Sequence, residues 1–344
     1  MDAIKVEPTP GLTYNPNESG YWDRRAMEAE QERLFEICRG CRLCQPLCPT
    51  FPALFQAVDR HGEDVRRLSM DERERIVDLC YQCKLCSVRC PYSPEEGHPF
   101  QVDFPRMMLR SNAVRKKEQG IGLRGWMLSR PELAGSLGGL TAGWANGRTR
   151  RRLLRMGLER MIGIHRDKQL PEFHGETFEE WYRNRGSRGG DAGHAVLFHT
   201  CFVNHNDPRI GKDTVEVFER NGIALGCSKQ NCCGMPALEA GDIALAKRNA
   251  EANVASLLPH VEAGRKILAI NPTCSYMVKK EYPQLVGTPA ASAVAGASMD
   301  VCEFLWQRRQ EGSLNRDFRS TPGRVAYHVP CHLKAQNIGS VHGT

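Results

Sequence analysis

Two short stretches of the sequence carry cysteines at a spacing suited to iron-sulfur clusters. CRGCRLCQPLCP begins at Cys38 and CYQCKLCSVRCP begins at Cys80, and both follow the pattern C-x2-C-x2-C-x3-C-P. Three thiolates spaced three residues apart let one curling loop reach three corners of a four-iron cube, and the fourth cysteine serves a neighbouring cube. The stretches, named here ladder 1 (residues 38–48) and ladder 2 (residues 80–90), therefore predict two 4Fe-4S clusters.

Each cluster is expected to take one ligand from the other ladder. The first predicted ligand set is Cys38, Cys41, Cys44 and Cys90, and the second is Cys80, Cys83, Cys86 and Cys48. Structural zinc also uses CxxC pairs, but it does not need three evenly spaced cysteines followed by Cys-Pro in two copies. The spacing therefore favours iron-sulfur clusters over zinc or disulfide bonds.

Four basic side chains lie between the ladder ligands, and two interpretations of them are open. Beside an anionic cluster, a cation favours the reduced state and raises the potential, whereas a solvated surface charge has little effect. The four residues are Arg39, Arg42, Lys84 and Arg89.

A third set of cysteines lies further along the chain. Cys201, the pair Cys232 and Cys233 in NCCGMP, and Cys274 in NPTCSYM each follow a predicted strand. In an open α/β sheet the carboxyl ends of the strands share one edge, where ligands usually bind. We therefore expect these four thiols to converge, as ligands of a metal cluster or as a redox thiol pair.

Helices are predicted to position the ladders. SMDERERIVDLC, which leads into ladder 2, indicates a helix, because Ser69 and Glu72 form a capping-box pattern and Ile76, Val77 and Cys80 share one face. Because helices lead into the cysteine stretches, the pattern indicates an α-helical ferredoxin-like module with two 4Fe-4S clusters.

From residue 194 the pattern changes to alternating strands and helices. HAVLFHT, GIAL, KILAI and RVAYHV are short β-rich runs, and helical spacing occupies residues 212–220 and 237–258. Such alternation predicts a parallel α/β layer. The predicted fold class is thus α + α/β.

Cysteines also mark an internal repeat in this part of the chain. Cys201 follows the first predicted strand and Cys331 the last, with His199 and His328 just before them. The second copy has barely begun at Thr344, so we expect it to be truncated. The flanking histidines, which also include His205 and His332, either bind or hydrogen-bond to the cysteine site or serve in capping and packing.

These patterns divide the chain into four regions. Residues 1–110 form the helical ladder module and residues 111–193 a cysteine-free, basic helical linker, while residues 194–320 form the first α/β domain and residues 321–344 the start of the second copy.

Within the linker, RTRRRLLRMGLERMIGIHR (residues 148–166) predicts a basic amphipathic helix. Its apolar side chains are Leu154, Leu158, Met161 and Ile162. A helix of this kind either lies on an anionic bilayer or packs on its own domain or a partner subunit. No stretch approaches the ~18 consecutive apolar residues of a membrane-spanning helix.

Composition narrows the class of protein further. Fifteen cysteines among 344 residues, without an apolar leader, indicate a reducing, cytoplasmic environment. The formal charge of +7 falls to about +3 once two cubes and their eight thiolates are counted. A nucleic-acid binder is disfavoured, because the Arg-rich stretch lacks interleaved aromatic residues. GIGLRG (residues 120–125) follows no predicted strand and is not a dinucleotide fingerprint.

With these motifs the sequence resembles the CCG-domain iron-sulfur family, which includes heterodisulfide reductase subunits, the glycolate oxidase iron-sulfur subunit and the C subunit of anaerobic glycerol-3-phosphate dehydrogenase. Similarity to the last of these covers nearly the whole chain, through FHGETFEEWYRN (173–184), FHTCFVNHNDPRIGKD (198–213) and YHVPCHL (327–333). In this family a complete C…CCG…CxxC site can hold a non-cubane four-iron cluster.

The resemblance implies a set of ligands in this chain. Cys201, Cys232, Cys233 and Cys274 match the family motif, Met277 stands where the fifth cysteine would be, and Cys331 opens the second copy. Cys227 and Cys302 match no ligand position and are expected to be packing residues.

The resemblance also implies a function. It predicts an electron-transfer subunit with no catalytic residues of its own, which accepts electrons from a flavin-containing dehydrogenase subunit of glycerol-3-phosphate or 2-hydroxy acid type. The electrons would pass toward quinone or another acceptor, with peripheral contact at the inner face of the cytoplasmic membrane. The alternative is disulfide cleavage at the CCG cysteines, as in heterodisulfide reductases.

Overall fold

A computed structural model describes residues 6, 14–140, 146–147, 152–186, 195–320 and 323–338. These residues form two compact units. Unit 1 lies within residues 1–120 and 329–344, and unit 2 lies within residues 121–328.

Unit 1 is helical in its described residues. Its helices are α1 (Arg24–Cys41), α2 (Thr50–Arg60), α3 (Met70–Asp78), α4 (Leu85–Arg89), α5 (Phe104–Gln119) and a short C-terminal helix (Cys331–Lys334). Short 3-10 helices occupy Ser19–Trp22, Val65–Arg67 and Pro94–Glu96. The apolar core between the helices includes Leu34, Phe35, Leu54 and Met107, all completely buried.

The predicted start of the helix before ladder 2 is confirmed. The Ser69 side chain accepts from the N–H of Glu72, and the Glu72 carboxylate accepts from the N–H of Ser69, which is a complete capping box. Ile76 and Val77 are buried in the unit 1 core, as their spacing predicted. Local patterns therefore determine where α3 begins and which face it buries.

Unit 2 contains a small parallel sheet covered by helices. The strands are β1 (Ala195–Phe198), β2 (Leu225–Cys227), β3 (Lys266–Ala269) and β4 (Ser298–Asp300), in the order β2-β1-β3-β4 with every pair parallel. Ala195 pairs with Leu225 on one side and with Lys266 on the other. β1 is buried along its whole length, as expected for a central strand of a parallel layer.

Helices surround this sheet. They are α6 (Leu123–Leu128), α7 (Pro131–Leu140), α8 (Arg152–Ile162), α9 (Phe178–Asn184), α10 (Thr200–His205), α11 (Pro208–Arg220), α12 (Met235–Glu239), α13 (Ile243–Glu262), α14 (Pro272–Tyr276), α15 (Tyr282–Val286), α16 (Pro289–Ala297) and α17 (Val301–Gln310). A π-helical turn, Met277–Glu281, joins α14 to α15.

Of the four predicted β-rich runs, HAVLFHT and KILAI contain β1 and β3, and GIAL overlaps β2 only at its last residue, Leu225. RVAYHV has no strand assignment in the structure, while β4 was not predicted. β4 is three residues long, Ser-Met-Asp, too short to show a period, and only its pairing with β3 makes it a strand. The observed architecture is mostly helical with one parallel sheet, in agreement with the predicted α + α/β class.

The predicted basic amphipathic helix is present as α8, and one of its arginines is buried. Arg155 donates to the backbone oxygens of His165, Arg166 and Lys168. Backbone carbonyls satisfy Nε and Nη2 of this cation, whereas Nη1 has no hydrogen-bond partner among the described residues. Two residues of the predicted apolar face, Leu154 and Met161, are 44% and 68% exposed. Arg151, the preceding residue of the stretch, lies outside the described residues.

A helix that crosses a membrane must be both long and apolar. None of the described helices combines the length and the apolar character that such a segment needs.

Candidate metal centres

Ladder 1 begins at the end of α1. The helix ends because Arg42 adopts a left-handed conformation with φ +52°, and its N–H donates to the carbonyl of Cys38. The Arg42 side chain forms an ion pair with Asp59 and lies 5.2 Å from the centre of the Phe55 ring. These contacts fix the turn in which the chain leaves the helix and enters the ladder.

The four thiols of the first predicted ligand set line one cavity. Cys38, Cys41 and Cys44 come from ladder 1 and Cys90 from ladder 2, and the apolar wall includes Phe51, Phe55 and Val102. The structure therefore brings together cysteines that the spacing had assigned to one cluster, including the one from the other ladder.

Burial controls the chemistry of these thiols. Burial, followed by the neighbouring thiols of Cys90, Cys44 and Cys41, raises the pKa of Cys38 well above its ordinary value. Burial likewise raises the pKa of Cys44 to about 12 and that of Cys90 to about 11. Thiols whose pKa is raised in this way ionise together only if a cation compensates their charge, which bound iron does. The donor set thus fits an iron-sulfur cluster.

The thiols of the second predicted set are also neighbours. Burial is the main cause of the raised pKa of Cys80, to about 11, and of Cys83, and the thiol of Cys48 adds to both. Burial also raises the pKa of Cys86, which faces Cys80 and Cys83 as well as Cys44 and Cys38 of the first set. The two ligand sets therefore adjoin each other in unit 1.

Ladder 2 contains a buried cation. Lys84 is 2% exposed, has φ +62°, and its Nζ donates to Oε1 of Gln82 at 2.8 Å. Gln82, with φ +52°, donates to Sγ of Cys80 at 3.4 Å. Left-handed non-glycine residues are costly and concentrate at functional sites. The structure therefore favours the cluster-facing interpretation of Lys84 over that of a solvated charge.

The other ladder cations have different surroundings. Arg39 pairs with Glu36 and with Glu63, and Arg42 pairs with Asp59, all in partly exposed positions. The Arg89 charge acts on the thiol of Cys44, lowering its pKa against the larger effect of burial. The sequence offered no basis for distinguishing the four cations, because the spacing of residues does not show how deeply each side chain is buried.

Cys331 lies in unit 1. The C-terminal helix packs on α4, and Nε2 of His332 donates to the carbonyl of Gln82 at 2.8 Å. Cys331 is near enough to Cys83 for its charge to raise the pKa of that thiol. The structure thus places Cys331, the first cysteine of the predicted second copy, beside ladder 2.

The third cysteine set meets at the carboxyl edge of the sheet. Cys201 lies in α10 directly after β1, Cys232 and Cys233 lie between β2 and α12, and Cys274 lies in α14 after β3. The sulfurs of Cys201 and Cys232 are 4.0 Å apart. Further thiol contacts join Cys232 to Cys233 and Cys233 to Cys274. The four predicted thiols, named here the CCG site, form one chain of contacts.

Two backbone positions shape this site. Thr200, between β1 and Cys201, is buried with φ +73°. Gly234 has φ +93°, and a Cβ there would lie 3.2 Å from the carbonyl oxygen of Ala246. Glycine is therefore needed immediately after the cysteine pair, both for the dihedral angle and for the close approach of the Ala246 backbone.

A single asparagine holds the loop that carries the pair. Oδ1 of Asn253 accepts from the N–H of Asn231 at 2.7 Å, and its Nδ2 donates to the carbonyls of Asn231 and Cys232 at 3.2 Å. Asn253 is completely buried and its Nδ2 also lies 2.9 Å from the hydroxyl of Tyr282. The loop is thereby fixed from α13 without any contribution from a metal.

The surroundings of the CCG thiols favour their neutral state. The hydrogen bond with Cys232, followed by burial, raises the pKa of Cys201 far above its ordinary value. Met277, at the position of the fifth family cysteine, is completely buried, with Cε 3.5 Å from where a Cβ on Gly234 would lie. Four closely packed thiols fit a metal cluster or a redox pair. Among the described residues, no three His, Cys, Asp or Glu side chains surround a site for a single metal ion.

Two contacts near the CCG site were not predicted. Glu132, in the first turn of α7, accepts from the N–H of Cys232, and burial raises the pKa of its carboxyl to about 7. Cys227, expected to be a packing residue, lies with Sγ 3.6 Å from Nδ1 of His199, whose Nε2 is 3.3 Å from Oε1 of Glu179. No local motif connects α7 or α9 with these cysteines, so the sequence contained no signal for either contact.

The remaining cysteine without a predicted ligand role, Cys302, lies in α17. Cys302 is exposed as a residue, but its sulfur is partly buried, and this burial raises the pKa of the thiol to about 11. The carboxylate of Asp300 adds to this shift, and no other cysteine contributes to it.

Comparison with known proteins connects these sites to named families. The cysteine-rich CCG domain matches residues 195–279, and the Fer4-like domain of citrate utilization protein B matches residues 31–120. The first match covers all four CCG-site cysteines, and the second covers both ladders. Both kinds of domain point to iron-sulfur chemistry. No solved structure matches the chain significantly.

Curated relatives extend the similarity over most of the sequence. The C subunit of anaerobic glycerol-3-phosphate dehydrogenase from Escherichia coli (strain K12) is 30% identical over 309 residues, which cover 87% of this chain and 75% of the relative. Lactate utilization protein A of Geobacillus thermodenitrificans is 32% identical over 40% of this chain and 56% of the relative. The B subunit of fumarate reductase (CoM/CoB) from Methanothermobacter marburgensis is 28% identical over 44% of this chain and 27% of the relative. The resemblance seen in the sequence motifs is thus confirmed, and the chain belongs to the family of the anaerobic glycerol-3-phosphate dehydrogenase C subunit, with a Fer4-like domain followed by a cysteine-rich CCG domain.

Proposed function

We propose that this chain is an electron-transfer subunit that relays electrons from a flavin-containing dehydrogenase subunit toward quinone or another acceptor. One observation carries the proposal. The cavity in unit 1 is lined by Cys38, Cys41 and Cys44 of ladder 1 together with Cys90 of ladder 2. This arrangement supports the exchange of one ligand between the ladders, which the cysteine spacing predicts for a pair of clusters.

The two ladder clusters are proposed as 4Fe-4S clusters, which supply one-electron redox chemistry when bound. Their ligand sets adjoin, because the thiol of Cys86 faces both Cys38 and Cys44. The chain's own residues keep the two sets together and tune them. Gln82 donates to the sulfur of Cys80, and Lys84 holds a positive charge beside it. Donors and cations near cluster sulfurs raise the reduction potential.

The CCG site is proposed to hold a third iron-sulfur centre, bound by Cys201, Cys232, Cys233 and Cys274. The contacts among these thiols and their burial support this role. Cys331 beside Cys83 is a further, weaker candidate ligand in unit 1. No residue of the chain is assigned to catalysis on a substrate, and the flavin is assigned to the partner subunit.

The names of the relatives support a dehydrogenase partner. One relative is a subunit of a glycerol-3-phosphate dehydrogenase and another is a lactate utilization protein, so the proposed donor oxidises glycerol 3-phosphate or a 2-hydroxy acid. Exposed apolar side chains on α6 and α8, among them Leu123, Leu153 and Met161, support peripheral contact with the inner face of the cytoplasmic membrane, where quinone is reached.

EPR spectroscopy of the whole chain, purified without oxygen, tests the proposal. After dithionite reduction we expect a spectrum broadened by magnetic interaction between two neighbouring clusters, together with matching iron and sulfide contents. A chain that holds zinc, or that gives two independent cluster signals, would overturn the paired-cluster relay.

Disulfide reduction at the CCG site is the second candidate function, favoured by the 4.0 Å contact between the sulfurs of Cys201 and Cys232. Cleavage of one disulfide consumes two electrons and two protons and yields two thiols. Sustained reduction of a disulfide substrate by the isolated chain, with reduced viologen as the electron donor, would rank this function first. If the clusters stay reduced but the disulfide substrate is not reduced, the relay function would rank first.

A further inference from the structure

A carboxylate from outside the CCG domain reaches the CCG site. Oε1 of Glu132 accepts from the N–H of Cys232, and the Glu132 charge also acts on the thiol of Cys201. The glutamate therefore contacts the backbone of Cys232 and lies near the thiol of Cys201. It belongs to α7, which precedes the residues matched by the CCG domain.

The packing of α7 fixes the position of this carboxylate. A Cβ added to Gly135 would lie 2.5 Å from Cγ of the His205 ring, and one added to Gly138 would lie 2.5 Å from the Phe173 ring. Gly135 lets α7 approach α10, the helix that carries Cys201, and Gly138 lets it approach the segment that contains Phe173. Glu132 lies one turn before Gly135 and hence on the same face of the helix.

A salt bridge fixes the start of the same helix. Arg130 Nη2 lies 3.1 Å from Oδ2 of Asp242, with both side chains largely buried. Asp242 caps α13, the helix that also carries Asn253 and so holds the cysteine-pair loop. Glu132 is thus positioned from two sides against the same loop, by the close glycine contact and by Arg130.

The charge of Glu132 has no counter-ion in the described part of unit 2. No lysine, arginine or histidine of the described residues forms a salt bridge with it, and another carboxylate, Glu179, acts on its charge. A partly buried carboxylate with a like charge nearby is unfavourable unless it takes up a proton or a cation binds to it. The four CCG thiols likewise ionise only where a cation compensates their charge.

We propose that Glu132 is a ligand of the metal centre at the CCG site and binds iron through its carboxylate beside the four cysteine sulfurs. The inference rests on the proposed iron-sulfur centre at this site. Iron accepts oxygen ligands as well as thiolates. The carboxylate then supplies a further ligand at a site where Met277 stands in place of the fifth family cysteine.

Spectroscopy of variants in the whole chain tests this ligand. Cys201→Ser defines which iron and which EPR signal belong to the CCG site, since the ladder clusters do not use that residue. We expect Glu132→Gln to remove or shift the same signal and to lower the affinity of that iron about 10-fold or more. The ladder signals should stay unchanged in both variants.

Two further variants separate ligation from folding. Glu132→Cys offers a thiolate at the same place, so it should keep the iron and change the g-values of the CCG-site signal. Glu159 lies on α8 and pairs with Arg166, so Glu159→Gln removes a carboxylate far along the chain from the cysteines and should leave every signal unchanged. A Glu132→Gln spectrum identical to that of the unsubstituted chain would overturn the ligand assignment.

If the CCG site holds no iron-sulfur centre, the same experiments give a different result. If the unsubstituted chain and Cys201→Ser have the same iron content and spectrum, the CCG site holds no centre and the Glu132 proposal falls with it. The broadened signal of the ladder clusters would still be present in that case, so the relay function would stand.

Discussion

All eight ladder cysteines are partly exposed, whereas three of the four cysteines at the CCG site are buried. The first ligand set stands around a cavity, but the CCG sulfurs touch one another, with Cys201 and Cys232 at 4.0 Å. A four-iron cluster holds its ligand sulfurs apart. The CCG thiols must therefore separate to receive a cluster, whereas the first ligand set already surrounds a small cavity.

The charges placed beside the two sites also differ. Ladder 2 buries a cation, Lys84, and the CCG site is faced by a carboxylate, Glu132. A cation beside an anionic cluster raises its potential, and a carboxylate lowers it. We therefore expect the proposed ladder clusters and the proposed CCG-site centre to have potentials shifted in opposite directions.

Loss of one ladder ligand should have the largest effect. Cys38→Ser removes one thiolate from the first set, so about half of the ladder iron should be lost and the broadened EPR signal should disappear. Cys232→Ser should leave that signal intact. Cys302→Ser, at an exposed cysteine, is the control. A Cys38→Ser protein with full ladder iron would contradict the assignment.

Removal of the metal should have the second-largest effect, and it should destabilise the ladder region more than the CCG site. The thiols around the ladder cavity lose their binding partner, whereas the CCG loop keeps its Asn253 hydrogen bonds. We expect hydrogen exchange to speed up in α1 and α4 but not in β1 and β3, and the Tm of unit 1 to fall by ~10 °C or more. Equal loss of protection in both units would show that the CCG site depends on metal as much as the ladders do.

The backbone after the cysteine pair gives the third test. Gly234→Ala places a side chain at φ +93° and 3.2 Å from the Ala246 carbonyl, so unfolding free energy should fall by about 3 kcal/mol. Gly62→Ala has a similar φ of +67° but open space around it, and should cost about 1 kcal/mol. Chemical denaturation measures both. Equal costs would mean that the contact with Ala246 is unimportant.

Lys84 should have a smaller, electronic effect. Lys84→Met removes the cation beside Cys80 and should lower the potential of the second ladder cluster by about 60 mV, equivalent to a tenfold change in its one-electron equilibrium. Arg39→Met, which removes a partly exposed, paired cation, is the matched control. Potentiometric EPR titration measures both shifts, and equal potentials for the two variants would return Lys84 to the class of surface charges.

The smallest expected effect concerns the cap of α3. Hydrogen bonds from the Ser69 backbone and from Arg60 lower the pKa of Glu72 to about 2, below its ordinary 4.5. The folded state therefore favours ionised Glu72, and this stabilisation, about 1 kcal/mol for an exposed group, is present above pH 4.5 and lost as the pH falls toward 2. Chemical denaturation across this pH range should show a flatter stability profile for Glu72→Gln. Asp71→Asn, in the same turn, should keep the original profile.

The sequence predicted the parts of the molecule that local patterns determine. The capping box at Ser69, the class of fold and the strands β1 and β3 follow from period and composition. The meeting of Cys201, Cys232, Cys233 and Cys274 follows from one rule, that parallel strands end at the same edge. Both are consequences of spacing along the chain.

What the sequence did not predict depends on contacts between distant residues. Glu132 precedes Cys232 by 100 residues, and only the packing of α7 on α10 brings it to the loop. Arg155 is buried because three backbone carbonyls surround it, which no helical period reveals. Cys331 lies beside Cys83 although its motif resembles the surroundings of Cys201.

The central claim is that each ladder completes the cluster of the other, and a comparison of three single variants by EPR tests it most directly. Cys41→Ser should affect the first cluster and Cys83→Ser the second. The account predicts that the spectrum of Cys90→Ser, a ladder 2 variant, matches that of Cys41→Ser, because Cys90 lines the cavity with Cys41. A Cys90→Ser spectrum that matches Cys83→Ser would contradict it.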